Sequence, residues 1–89
     1  MSQVDYRALQ RRTLDACRKE GWDRGWKTAG CCLHLECSEF IEALRGKHGD
    51  PIEEAGDVLF VLLSMLADYD ISIDEVACAL EMKMDSKGQ

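Results

Sequence analysis

Several things are scarce in this sequence, and each shortage excludes a class of protein. One proline in 89 residues leaves no Pro-rich adaptor segment. Aromatic residues make up 7%, which with the lone proline argues against a β-sandwich of many short strands. There is no excess of basic charge. Eleven Lys and Arg face seventeen Asp and Glu, a formal charge of −6, so the basic footprint of a nucleic-acid binder is missing. A nucleotide ligand stays open, provided a cation stands between its phosphates and the acids. The longest apolar run, Val58 to Leu63, is far short of the roughly 20 residues of a membrane span. No repeat, linker or low-complexity stretch interrupts the chain. The five cysteines, Cys17, Cys31, Cys32, Cys37 and Cys78, are odd in number and follow no apolar leader. Both features point to reduced thiols in the cytoplasm.

What is present fits a small helical domain. Eighty-nine residues suit a single domain, residues 1–89, but a chain this short buries only about 60–65% of its unfolded surface. It must pack regularly or finish its core against a second copy. Four helices are expected. The first runs from Val4 to Glu20, with Tyr6, Leu9, Thr13, Ala16 and Cys17 on one face. Gly21 stands at its stop. The aperiodic segment Trp22 to Thr28 reads as a loop, in which Trp22 and Trp26 flank a basic, flexible stretch, Arg24 to Lys27. The second helix spans Ala29 to Arg45, with Leu33, Cys37, Phe40 and Leu44 as its apolar stripe. Gly46 to Gly49 breaks it. Asp50 is a good N-cap, Pro51 a good first residue, and Glu53 completes a capping box. The third helix, Pro51 to Ala67, is apolar nearly all round, which marks a central helix and suggests cover from a partner subunit. The fourth opens on the capping box Ser72-Ile73-Asp74-Glu75 and carries Ile73, Val76, Ala77, Leu80 and Met84 as its stripe.

The chemistry lies in the acids. Glu36 and Glu39 are three apart on the second helix, and Glu54 and Asp57 are three apart on the third, so each pair shares a helix face. Glu36 and Glu39 fall away from the apolar stripe, on a face with Cys32 and Ala43. Folding the hairpin back near His48 sets Glu39 opposite Asp57 and gathers all four carboxylates within roughly 9 Å at about 1.5 Å per residue. Like charges so close take up protons or hold a cation. An all-oxygen set suits Mg²⁺ or Mn²⁺. Asp57, just before six apolar residues, is expected to be buried and so to need that cation.

The run Glu36-Cys37-Ser38-Glu39, a spacer, then Glu53-Glu54-Ala55-Gly56-Asp57-Val58-Leu59-Phe60 resembles the MazG-like, all-α nucleoside triphosphate pyrophosphohydrolases, whose signature is ExxE followed by ExxD on two antiparallel helices. The resemblance extends from about residue 17 to 85. It implies a four-helix bundle with the acidic site on its central hairpin, completed by assembly into dimers or dimers of dimers. It also implies cleavage of a nucleoside triphosphate between the α and β phosphates, to a monophosphate and pyrophosphate, in the housecleaning of non-standard nucleotides. Glu36, Glu39, Glu54 and Asp57 would then be the catalytic Mg²⁺ ligands. Many members carry an Asn- and Arg-rich tail after the last helix, where this sequence has Lys83 and Lys87.

Trp22 is a candidate for stacking on the base, and the segment Arg24 to Lys27, with Lys83, for meeting phosphates. The plainer readings are that Trp22 caps the bundle and that Lys83 and Lys87 complement a helix C-terminus. His34 and His48 read as surface residues. Cys31, Cys32, His34 and Cys37 match no usual zinc spacing. Two other functions fit the same residues: a nucleotide- or metal-binding helical module with little turnover, and a helical interaction protein whose acids are surface.

Overall fold

A computed structural model describes residues 3–87. They form four helices: α1 Tyr6–Glu20, α2 Thr28–Leu44, α3 Pro51–Asp68 and α4 Ile73–Ser86, with no strand among the described residues. Each boundary has a local cause. The Asp5 carboxylate accepts from the amides of Arg7 and Ala8, both at 3.1 Å, so α1 starts at Tyr6 rather than Val4. At its other end Gly21 is left-handed at φ 75°. Its amide donates to the Arg18 carbonyl and that of Trp22 to the Cys17 carbonyl, a Schellman closure that needs glycine at the left-handed position. Asp50 caps α3 through the Ile52 amide at 3.0 Å. The return bond expected from Glu53 does not form, since a box at this site would hold two carboxylates together. At Ser72 the full box with Glu75 closes as expected.

The packing corrects two of the expected stripes. On α1 the buried residues are Gln10, Thr13, Leu14 and Cys17, while Tyr6 is exposed. Gln10 lies in the core because its amide group is fully used. Its Nε2 donates to the carbonyls of Leu63 (3.3 Å) and Ile71 (2.9 Å), and its Oε1 accepts from the Ile73 amide (2.9 Å). It ties α1 to α3 and to the start of α4. On α2 the buried residues are Ala29 and Ala43, on the line that also carries Cys32, Glu36 and Glu39. The expected apolar stripe is half-buried at Leu33 and Phe40 and exposed at Cys37 and Leu44. The acidic face therefore turns inward, because its small alanines let α2 approach α3 closely.

The all-round apolar character of α3 has an explanation within one chain: α3 packs on α2 on one side and α1 on the other. α4 rests chiefly on α1 and buries none of its residues. Among the described residues no helix is long and apolar enough to cross a membrane.

Candidate functional site

The inward face of α2 and the first two turns of α3 build an acidic cluster. Carboxylate oxygens of Glu36, Glu54 and Asp57 all lie within 4.8 Å of one another. Opposed ligands of an octahedral Mg²⁺ stand roughly 4 Å apart at about 2.0–2.1 Å per bond. Small side-chain rotations close this set around an ion, so the donor set and its size fit a hard divalent cation. Glu39 lies outside that group of three but adjoins Glu36. The Glu36 carboxyl is pushed above the usual carboxylate range. Partial burial is the largest cause, followed by a hydrogen bond with Glu39 and the charges of Glu39, Asp57 and Glu54.

Asp57 corrects an expectation, for it is exposed rather than buried. Burial on α3 begins one turn later, at Val61, Leu63 and Ser64, because α2 presents carboxylates opposite Asp57 and alanine further on. Its cost as a charge is therefore electrostatic repulsion more than loss of water. Gly49 supports the third ligand. At φ 85° it has a left-handed backbone, and a Cβ there would stand 3.1 Å from the Glu54 Oε2. Only glycine gives both the turn and the room.

Beside the cluster lies a cavity of about 440 Å³, lined by Trp22, Asp23, Arg24, Thr28, Cys32, Glu36, Phe60 and Val61, with Gly21 at its edge. The Schellman turn after α1 delivers Trp22 to it. Trp22 meets Phe60 edge to face, with ring centroids 6.3 Å apart at 76°. Glu36 belongs to both the cavity and the cluster. A second cavity, of about 320 Å³, lies between α1 and the start of α4 near Arg7, Gln10 and Glu75, and none of Glu36, Glu39, Glu54 and Asp57 lines it.

The loop expected to be flexible is held by specific bonds. Asp23 Oδ1 accepts from the Gly25 amide at 2.7 Å. That bond, then one from the Thr28 hydroxyl, keeps the Asp23 carboxyl below its ordinary range, with the nearby Arg24 charge adding a little. The Trp26 amide donates to the Tyr69 hydroxyl at 3.0 Å. Arg24 folds back into the core and is 8% exposed. Its Nη1 donates to Ser64 Oγ (3.3 Å) and its Nε to the Asp23 carbonyl (3.1 Å).

Of the residues singled out in the sequence, the fold brings together Glu36, Glu54 and Asp57, with Glu39 alongside and Trp22 in the adjoining cavity. Lys27 is not in the cavity lining; its Nζ lies 5.4 Å over the Trp26 ring. Lys83 is exposed on α4, which rests on α1. Phe60 and Gly49 join the site without having been singled out for it, and Arg24, expected with Lys27 in a flexible segment that could meet phosphates, is instead buried in the cavity wall. The signal for Arg24 was Ser64, a lone hydroxyl within the apolar run of α3, which needs a polar partner once buried.

Residues 25–88 match the MazG nucleotide pyrophosphohydrolase domain. The chain belongs to this family. The MazG match takes in α2, α3 and α4, and with them all four acids of the two pairs. Among curated proteins, phosphoribosyl-ATP pyrophosphatases from two strains of Cereibacter sphaeroides are each 44% identical over 48 residues, 54% of this chain and 47% of the relative. The matched stretch thus spans about half the length of these curated relatives. No solved structure gives a significant match.

Proposed function

We propose that this MazG domain is a Mg²⁺-dependent nucleoside triphosphate pyrophosphohydrolase that cleaves (d)NTP between the α and β phosphates to (d)NMP and pyrophosphate. Mn²⁺ is an alternative ion. One observation carries the reading: three carboxylates from two helices converge on a point, and one of them, Glu36, also walls an aromatic cavity large enough for a nucleoside. Glu36, Glu54 and Asp57 would hold the metal, with Glu39 completing the set. Mg²⁺ bound there supplies charge to the phosphate oxygens and lowers the pKa of a bound water. One of these carboxylates, or the exposed Glu53, would serve as the base that takes a proton from the attacking water. Trp22 and Phe60 wall the base, and Lys27 and Lys83 are the cations assigned to the phosphates. In one chain α4 lies on α1, so Lys83 would join the site through assembly of copies.

Assembly has its own support. The accessible surface is 6839 Å², against about 5,200 Å² for a compact monomer of this mass. Leu80 on α4 is 55% exposed, and Leu44, Leu59, Val76 and Met84 are exposed as well. A homodimer, or a dimer of dimers, covers these faces, and residues 1–89 act as one such domain in it. All five cysteines are free thiols, as suits the cytoplasm. The role is housecleaning of damaged or non-standard nucleotides.

The test is a pyrophosphate-release screen with Mg²⁺ and Mn²⁺ over ordinary and modified (deoxy)nucleoside triphosphates, run beside Asp57→Asn. The panel includes phosphoribosyl-ATP, named for the curated relatives. Release by the parent chain and its loss in a folded Asp57→Asn protein are expected. The reading fails if no nucleotide yields pyrophosphate. Mg²⁺-dependent binding without hydrolysis would instead identify a binding module.

A further inference from the structure

Among the described residues Arg24 is the one buried cation, and the proposed chemistry makes no demand on it. It is 8% exposed, and among the described residues no carboxylate pairs with it. An isolated charge at such a site is costly unless something answers it. A guanidinium has five N–H donors and no acceptor. Here Nε is taken by the Asp23 carbonyl and Nη1 by Ser64 Oγ. No buried side-chain nitrogen or oxygen among the described residues lacks a partner, so the remaining nitrogen, Nη2, is not sealed in protein. Arg24 lines the aromatic cavity, and that is where spare donors can find an acceptor.

Position along α3 says which part of a ligand it meets. Glu54 and Asp57 mark the cation end, Phe60 and Val61 the cavity wall, and Ser64 the anchor of Arg24. Ser64 is seven residues beyond Asp57, about 10 Å along the axis at about 1.5 Å per residue. That is near the reach of a nucleoside from its phosphate to the far edge of its base. The Arg24 bond to Ser64 therefore holds the guanidinium beyond Phe60 along α3, on the side away from Glu54 and Asp57.

We infer that Arg24 is a specificity-determining residue that reads the base, resting on the proposed reading of the cavity as a nucleoside site. A group with donors only pairs with an edge made of acceptors. The O6 and N7 of guanine or hypoxanthine offer two such atoms side by side, and arginine meets them with two parallel bonds. Adenine presents an amino donor beside its N7 and is repelled. The selected class is the 6-oxopurine nucleotides. Ser64 acts as a positioning residue, since its hydroxyl holds the plane of the guanidinium. Arg24 lies outside the MazG match, residues 25–88.

Calorimetry with α,β-methylene analogues of dGTP, dITP and dATP, in Mg²⁺, tests this without turnover. The wild-type chain is expected to bind the guanine and hypoxanthine analogues on the order of 10-fold or more tighter than the adenine one. In Arg24→Met, which keeps the buried stem, the ratio should fall to near one. Arg24→Lys, a single point donor, should give an intermediate ratio and guards against a failure of the Met variant to fold, checked by its melting curve. Equal affinities in the wild type overturn the inference. So does a loss in Arg24→Met that is proportional across all three, which would mark a phosphate contact or a purely structural arginine. A base preference in binding alongside absent pyrophosphate release would sink the proposed reaction and leave the base reader standing. No binding of any analogue overturns both.

Discussion

The two halves of α3 face their neighbours on opposite terms. In the first half, Glu54 and Asp57 meet Glu36 across the α2 seam, carboxylate to carboxylate, and Asp57 is exposed. In the second half, Val61, Leu63 and Ser64 are buried, and among the described residues no fully buried side-chain nitrogen or oxygen lacks a partner. There Gln10 and Arg24 supply the bonds. The same helix thus carries a stretch that lowers stability and a stretch that provides it. Like charges are tolerated at the first because Asp57 and its turn remain wet, and because the second half holds the helix in place. Side chains that oppose folding are the ones most readily explained by a ligand.

That contrast makes opposite predictions for the two ends. The largest effect should come from Asp57→Asn. Pyrophosphate release should fall on the order of 100-fold or more, while thermal melting without metal shows the folded state unchanged or stabilised. A lower melting temperature would mean that Asp57 supports the fold, and the contrast would break. Gln10→Leu acts on the other end. It strands the Ile73 amide and the Ile71 carbonyl, removes the second bond to the Leu63 carbonyl, and should cost about 2–4 kcal/mol in urea unfolding.

Between the two ends stands Gly49→Ala. The left-handed backbone alone should cost about 1–2 kcal/mol. The added methyl should also push Glu54 aside and weaken Mg²⁺ binding in calorimetry, which a merely strained turn would not do. The smallest effect is on pH dependence. The Glu36 carboxyl is raised above its unfolded value of 4.5, so the folded state binds a proton more tightly than the unfolded chain. Stability without metal is full below about that value and falls as pH rises through the folded titration. Glu36→Gln should flatten this decline, and Mg²⁺ should offset it in the parent chain. A decline that persists in Glu36→Gln would place the repulsion elsewhere.

Much of this was legible in the residues, and the reasons are local. Four helices were readable because their ends are set by single residues, Gly21, Asp50 with Pro51, and Ser72 with Glu75, acting on neighbouring amides. That the acids of the two helices gather was readable because helix rise and a short turn leave a hairpin little freedom, although Glu39, expected opposite Asp57, lies outside the group of three. Three faces differ from the expectation, that of α1, where Gln10 and Leu14 rather than Tyr6 are buried, and two that bear on the site. The apolar stripe of α2 looked like the core, yet Leu44 is exposed and Ala43 buried. Periodicity reports which face is apolar, not which face a neighbour can approach, and close approach favours small residues. Asp57 looked buried from its apolar neighbours, although burial depends on what stands opposite.

The sequence by itself determined the helices, their caps and the two acidic pairs, since each rests on interactions within a few residues. The tertiary structure decided that the acids face inward, that Gln10 joins three helices, and that Arg24 lies under the loop against Ser64. The last two outcomes depend on groups 40 to 63 residues apart in the chain. No local rule encodes such contacts; they follow from which surfaces can close together without leaving a buried donor or acceptor unmet.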